Sequence, residues 1–286
     1  MAEVTSTSRP SSLSIARRDW RSVFRPQVLI IVAALLLIGY LALVPLGYLF
    51  WGTFWDGTSV TLRFFREAYQ AYDLLGMISN SVWFAFGSTV LSITIGTLLA
   101  YLVVRTDVPF KGLMFAASLV PLIIPGILHT IAWIFLASPR VGVVNKVLEP
   151  VFGPGTLNIF GIWGMIFVEG LHLSPLVFLL MVAAFRSMDP SLEESALMSG
   201  ARLRTVFRRI TIPLTKPALF ASILIMTVRA LEAFEVPALL GIPRGVWVFT
   251  SRIWRVLNTY PPNFGQAGAY AMSLLVLTTL GVYLNS

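Results

Sequence analysis

Continuous apolar runs constrain this chain more than any other feature. Residues at about 28–50, 80–104, 112–137, 160–184, 217–240 and 266–284 each supply the roughly 20 apolar positions a helix needs to cross about 30 Å of hydrocarbon. Stretches such as Leu29 to Leu37 carry no polar residue at all. A membrane barrel would instead need segments of about 10 residues that alternate between apolar and polar. The expected fold class is therefore all-α, a polytopic membrane protein with six transmembrane helices. Composition agrees, with 57% hydrophobic and 12% charged residues and a mean hydropathy of +0.82. The first run follows Arg17, Arg18, Arg21 and Arg25 and continues past Phe50. That exceeds the apolar core of a secretory signal, roughly 7–15 residues, and reads as an uncleaved first span.

The net charge of +8 is explained by where the basic residues fall. Arg9, Arg17, Arg18, Arg21 and Arg25 precede residue 28, Arg105 and Lys111 flank the 105–111 connection, and Arg186, Arg202, Arg204, Arg208, Arg209 and Lys216 occupy 185–216. These thirteen outweigh the seven on the alternate loops: Arg63, Arg66, Arg140, Lys146, Arg244, Arg252 and Arg255. An excess of cations on one set of loops marks the cytoplasmic side, which puts the N-terminus inside and removes the need for a nucleic-acid partner. Residues 1–27 are expected to form a basic cytoplasmic tail, and 28–286 a membrane domain that includes the inward loop 185–216. Absence of cysteine excludes disulfides, thiolate catalysis and cysteine metal sites. The outward segments 52–79, 138–159 and 241–265 read as short surface helices or irregular loops, a place for an external partner. The last apolar run ends at Asn285-Ser286 without a basic flank. That ending suggests either truncation or the first half of a longer chain.

The inward loop holds the most informative string, Asp189-Pro190-Ser191-Leu192-Glu193-Glu194-Ser195-Ala196-Leu197-Met198-Ser199-Gly200-Ala201, followed by Arg202 to Arg209 and Ile210-Thr211-Ile212-Pro213. Asp189 can cap a helix whose first residue is Pro190, or Ser191 can cap it with Glu194 three residues on. Leu192, Ala196, Ser199, Gly200 and Leu203 recur at helical spacing and form a small, weakly apolar face. Glycine within a helix costs about 1 kcal/mol relative to alanine, and close approach of another surface would justify Gly200. Pro213 is expected to stop the next helical stretch before Lys216-Pro217 opens the fifth span. The string reads either as a stub helix fitting a partner's groove or as an ordinary surface helix joining two spans.

This string resembles the cytoplasmic EAA loop of ABC importer permeases, whose pattern is Glu-Ala-Ala, three residues, Gly, nine residues, Ile, one residue, Leu-Pro. Glu194, Ala196, Gly200, Ile210 and Pro213 fit in register, with Ser195 in place of the first Ala and Ile212 in place of the Leu. The resemblance implies a type I importer fold and a coupling helix that docks in a groove of a separate ATPase subunit. Glu194, Ala196 and Gly200 would lie at that interface, with Glu193, Ser195, Ala201 and Pro213 around them. It implies further partners as well: an external substrate-binding protein, and a second permease that is another copy, a sister chain or a fused second half. The location implied is the inner or plasma membrane of a bacterium or archaeon. The segment from Leu239-Leu240-Gly241-Ile242-Pro243 through Ile253 to Tyr270 looks like iron(III) permeases, whose spermidine/putrescine relatives share the layout. Iron(III) or a polyamine is the solute class this suggests.

Ionisable residues within spans are expensive in lipid and should face the bundle interior or a wet cavity. Glu169 and His172 lie in the fourth run, and Arg229, Glu232 and Glu235 in the fifth. They read either as a translocation path suited to a cationic solute or as a structural Arg229–Glu232 pair with interfacial glutamates. Glu169 and His172 alone are too few to hold a metal, so neither a metal nor a cofactor is expected. His129, beyond Pro121 and Pro125, reads as a buried hydrogen-bonding residue beside a kink. No G-x-x-x-x-G-K-[ST] motif is present, so the chain is not its own ATPase and is not read as an enzyme. The alternative reading is an ion-coupled secondary transporter.

Overall fold

A computed structural model describes residues 26–70 and 73–285. The expected tail therefore lies almost wholly outside the described residues. Twelve α-helices are described: α1 (Pro26–Phe54), α2 (Arg63–Tyr69), α3 (Leu74–Arg105), α4 (Lys111–Ile123), α5 (Gly126–Ala137), α6 (Val143–Phe152), α7 (Ile162–Ser187), α8 (Ser191–Met198), α9 (Leu203–Val206), α10 (Ile212–Glu232), α11 (Phe249–Leu257) and α12 (Phe264–Asn285). Extended pairing among the described residues is confined to one isolated bridge, Trp55 to Val60. Four helices are long and apolar enough to cross a membrane, or five if the bent pair α4 and α5 is one span. The sixth apolar run is α12, whose 22 residues extend about 33 Å.

The chain divides after Trp51. Before it, the described residues belong to the apolar helix α1, which opens on Pro26 and carries Pro45 in its interior. The remainder is organised around α3 and α7. Along α3 the buried residues Ser81, Ala85, Ser88, Ser92, Gly96, Ala100 and Val103 recur every three or four positions, a stripe of small side chains. Such stripes let helix backbones approach closely where lipid gives no hydrophobic drive to associate. A Cβ on Gly96 would fall 2.6 Å from Val177 Cβ and 2.7 Å from the Ser174 carbonyl. Around this seam, Val177, Phe178, Met181, Phe185, Met226 and Ala230 form one core cluster. A second, with Phe84, Met165, Val168 and Leu240, lies toward the other end of the two helices. Beyond it, Ala68, Met77, Phe249, Ala269 and Tyr270 join α2, α11 and the start of α12.

Two predicted spans are interrupted. Pro125 cannot donate a backbone N–H and drives the preceding residue out of helical geometry, so Ile124 is extended (φ −82, ψ 125) and α5 leaves α4 at 104°. The fifth run also shifts. Its helix begins at Leu203 and ends at Glu232, after which Ala233 is extended (φ −60, ψ 133) and a π-helical segment, Pro237–Gly241, follows. The Ala233 carbonyl freed at this break accepts a 2.8 Å hydrogen bond from Thr250 Oγ1 of α11. Pro213 does not stop a helix as expected. A π-helical turn, Phe207–Thr211, precedes it, and Pro213 is the second residue of α10 in a stretch that stays helical from Leu203 to Glu232.

Candidate functional site

The two interruptions face one cavity of about 410 Å³. Glu169 and His172 of α7, Arg229 and Glu232 of α10, and Glu235 beyond the α10 break all line it, together with Gly126 at the start of α5. Gly126 brings its backbone close to both charged walls: a Cβ there would be in ordinary contact, 3.4 Å from His172 Nε2 and 3.8 Å from the Glu235 carboxyl carbon. Glu169 is 4% exposed. The ion pairs among the described residues join Arg63 to Glu67, Arg105 to Glu193 and Lys111 to Asp107. The expected Arg229–Glu232 pair is therefore not formed. Three glutamates and one arginine instead stand around the cavity, a set of polar groups that in hydrocarbon has to be satisfied by water or a bound solute.

His129 lies behind this wall, 9% exposed, its ring centroid 5.2 Å from that of His172. It is buried as expected, yet its Nε2 has no hydrogen-bond partner, and neither has His172 Nδ1. Among the described residues no group of three or more His, Asp or Glu is placed to hold a metal ion. The sequence did not single out Gly126; the signal for it was Pro125, which ends one helix and places the next helix's first turn against the charged residues.

At the other end of α7 lies the short helix α8. The first of the two caps foreseen is the one formed: the Asp189 carboxylate accepts a 2.9 Å hydrogen bond from the Ser191 N–H across Pro190. That bond holds the Asp189 carboxyl below its ordinary range. The helix ends in a Schellman motif, with Gly200 N–H donating to Leu197 O at 2.9 Å and Ala201 N–H to Ala196 O at 3.1 Å. Gly200 is thus outside the helix, with φ +83, and a Cβ there would have nothing within 4 Å. Left-handed backbone, rather than close approach within this chain, accounts for the glycine. Leu203 consequently does not continue the α8 face.

The helix turns Glu193 and Ala196 partly inward, while Leu192, Glu194, Ser195, Leu197 and Met198 are exposed, Met198 at 89%. Glu193 faces Arg105, the last residue of α3, at 3.7 Å. Sequence reasoning counted Arg105 only toward topology; its position where a span meets the loop was the available signal.

Residues 92–285 match the family model described as the binding-protein-dependent transport system inner membrane component. A trehalose/maltose transport system permease protein of Thermococcus litoralis is 26% identical over 87% of this chain and 92% of that protein. A ferric transport system permease protein of Actinobacillus pleuropneumoniae is 28% identical over 87% of this chain, which spans only 36% of that relative. Among solved structures, a chain of a bacterial ABC transporter that imports the acidic polysaccharide alginate superposes with a TM-score of 0.74 at 21% identity. That match covers 93% of this chain and 97% of the other.

Proposed function

This chain belongs to the family of binding-protein-dependent transport system inner membrane components, and from that premise we propose how it couples to its motor and what it passes. Its role is that of a multi-pass permease subunit of an ABC importer, with ATP hydrolysed on a separate subunit. The ion-coupled alternative has no support from the family or the relatives. In our reading the N-terminus is cytoplasmic, α8 docks in a groove of the ATPase subunit, and an external binding protein delivers solute to a permease pair. The second member of that pair is another copy, a sister chain or a fused second half.

The observation that carries the coupling role is the build of α8. Eight residues capped at both ends hold an exposed apolar surface of Leu192, Leu197 and Met198 beside Glu194 and Ser195. Exposed apolar side chains on a helix fixed at both termini are what a groove-binding element requires. Co-expression with candidate ATPase subunits tests this reading. The wild-type chain is expected to capture one, and Gly200→Arg to lose it while remaining folded in the membrane. A wild-type chain that captures none overturns the coupling role.

The cavity supports a solute path, with Glu169, His172, Arg229, Glu232 and Glu235 as its polar wall. The solutes named for the relatives, a disaccharide and ferric iron, differ in charge, so the wall itself guides the choice. Its three glutamates against one arginine favour a cationic solute, with iron(III) and polyamines as the two classes to assay. Uptake of each by proteoliposomes containing the assembled importer is expected to fall in Glu232→Gln and Glu235→Gln. Undiminished uptake in both variants removes these residues from the path.

A further inference from the structure

We infer that Arg105 is a positioning residue that joins the coupling helix to the membrane helices, acting through Glu193. This rests on the reading of α8 as the coupling helix and adds the part that carries its movement inward. Arg105 ends α3, and its side chain is only 8% exposed. From one terminal nitrogen it donates to the carbonyls of Phe185 and Met188, at 2.8 and 3.2 Å, at the end of α7. Those carbonyls form the negative end of the α7 dipole, where a cation is stabilised. Its other terminal nitrogen faces Glu193 Oε2 of α8 at 3.7 Å. The second oxygen of Glu193 accepts a hydrogen bond from the Thr211 hydroxyl, and Thr211, 1% exposed, closes the π-helical turn that leads into α10. One guanidinium and one carboxylate therefore tie together α3, α7, α8 and α10.

A second layer lies one turn earlier on α3. The Tyr101 ring meets Phe185 of α7 edge-on at 5.9 Å and Phe207 of the π-helical turn at 5.0 Å. The same three elements are thus held by packing as well as by charge, which fixes their relative position on two levels. The polar level is not fully spent. Arg105 Nε is buried without a partner, and a 3.7 Å separation is a charge contact rather than a hydrogen bond. Glu193 can therefore shift relative to the guanidinium while the pair stays together, as a joint between moving parts must. Removing either member would leave the other buried and unpaired, and would release α8 from α3 and α7 while leaving its exposed face intact.

The test uses the complete importer in proteoliposomes and the absence of native cysteine. A reporter cysteine, Leu176→Cys, placed on the cavity wall, is labelled with a membrane-impermeant thiol reagent with and without vanadate-trapped nucleotide. The reporter-bearing parent is expected to capture the ATPase and to change its labelling rate on trapping. Arg105→Gln and Glu193→Gln should still capture an ATPase that hydrolyses ATP, yet lose the trapping-dependent change, and the double variant should lose no more than either alone. Arg105→Lys, which keeps the charge but not the fork of donors, should retain part of the change. A full change in Glu193→Gln overturns the joint. Loss of ATPase capture in Glu193→Gln also overturns it, because Glu193 would then belong to the docking face. A parent that captures no ATPase refutes the coupling role of α8 itself, and the joint falls with it.

Discussion

Replacing Gly200 separates a backbone requirement from a steric one. In this chain the residue has φ +83 and open space where a Cβ would stand, so an added side chain meets no clash but must adopt left-handed geometry. That geometry costs a residue with a Cβ about 1–2 kcal/mol, and Asn less than others. An eight-residue helix has little stability of its own, so the cost acts directly on the fraction of molecules with α8 closed by its two terminal hydrogen bonds. Apparent affinity falls with the fraction of the competent state, so Gly200→Ala should weaken capture of the ATPase subunit by about 5–30-fold. Gly200→Asn should weaken it less, despite the larger side chain. The measurement is an equilibrium titration of the purified ATPase subunit against the detergent-solubilised wild type, Asn, Ala and Arg variants. If affinity instead declines in order of side-chain size, with Ala above Asn, the backbone argument is refuted and close approach of the partner is the reason for the glycine.

Gly96→Ala should lower the thermal midpoint in detergent, because its Cβ would overlap the Ser174 carbonyl and Val177 in a seam that cannot open; overpacking of this kind costs about 1–3 kcal/mol. Gly112→Ala, in the first turn of α4 with nothing within 4 Å, is the control and should leave the midpoint unchanged or raise it slightly. Asp56 accepts backbone hydrogen bonds from Ser59 and Thr58, which push its pKa down from 3.8 to about 2. Its folded value lies below its unfolded one, so the contribution is complete above the ordinary value and lost as pH falls through about 2. In a variant that keeps Trp55 as its single tryptophan, fluorescence should therefore be steady down to pH 4 and change only toward pH 2. Glu169→Gln, which replaces a buried carboxyl on the cavity wall with an amide of similar size, should lower solute uptake. Ser174→Ala should cost about 1–3 kcal/mol, since Ser174 Oγ supplies the Leu171 carbonyl with the hydrogen bond that Pro175 cannot; the cost should shrink in a Pro175→Ala background.

Much of the architecture was legible because lipid leaves so few choices. The apolar runs found their helices, and the register Glu194, Ala196, Gly200, Ile210, Pro213 located the loop. Gly200 and Pro213 are both helix breakers, and sequence alone does not distinguish a glycine that permits contact from one that permits a left-handed turn. Nor does it show a π-helical turn absorbing a proline. The 104° bend exceeded the expected kink because Pro125 acts on two residues at once, removing its own N–H and extending Ile124. Glu193 was placed with its neighbours toward the ATPase. Adjacent helix positions point about 100° apart, and only the Arg105 contact shows which of the two glutamates turns inward.

The two sites share α7. Glu169 and Phe185 are sixteen residues apart on it, about 24 Å along the axis, so the helix that lines the cavity also supplies the carbonyl that binds Arg105. Between these points α7 is packed against α3 along the small-residue seam and is interrupted only at Pro175, whose orphaned carbonyl is satisfied by Ser174. The other cavity walls are built differently, since α4 and α5 part at Ile124-Pro125 and α10 ends at Glu232 before the π-helical segment. A close-packed helix pair resists bending, whereas an extended residue between two helices bends at little cost. In the proposed coupling, a displacement delivered at Arg105 would be carried by α3 and α7 as a unit and absorbed at the two breaks. Both breaks lie on the cavity wall, so the cheapest deformation of this fold is one that reshapes the space around Glu169, Glu232 and Glu235.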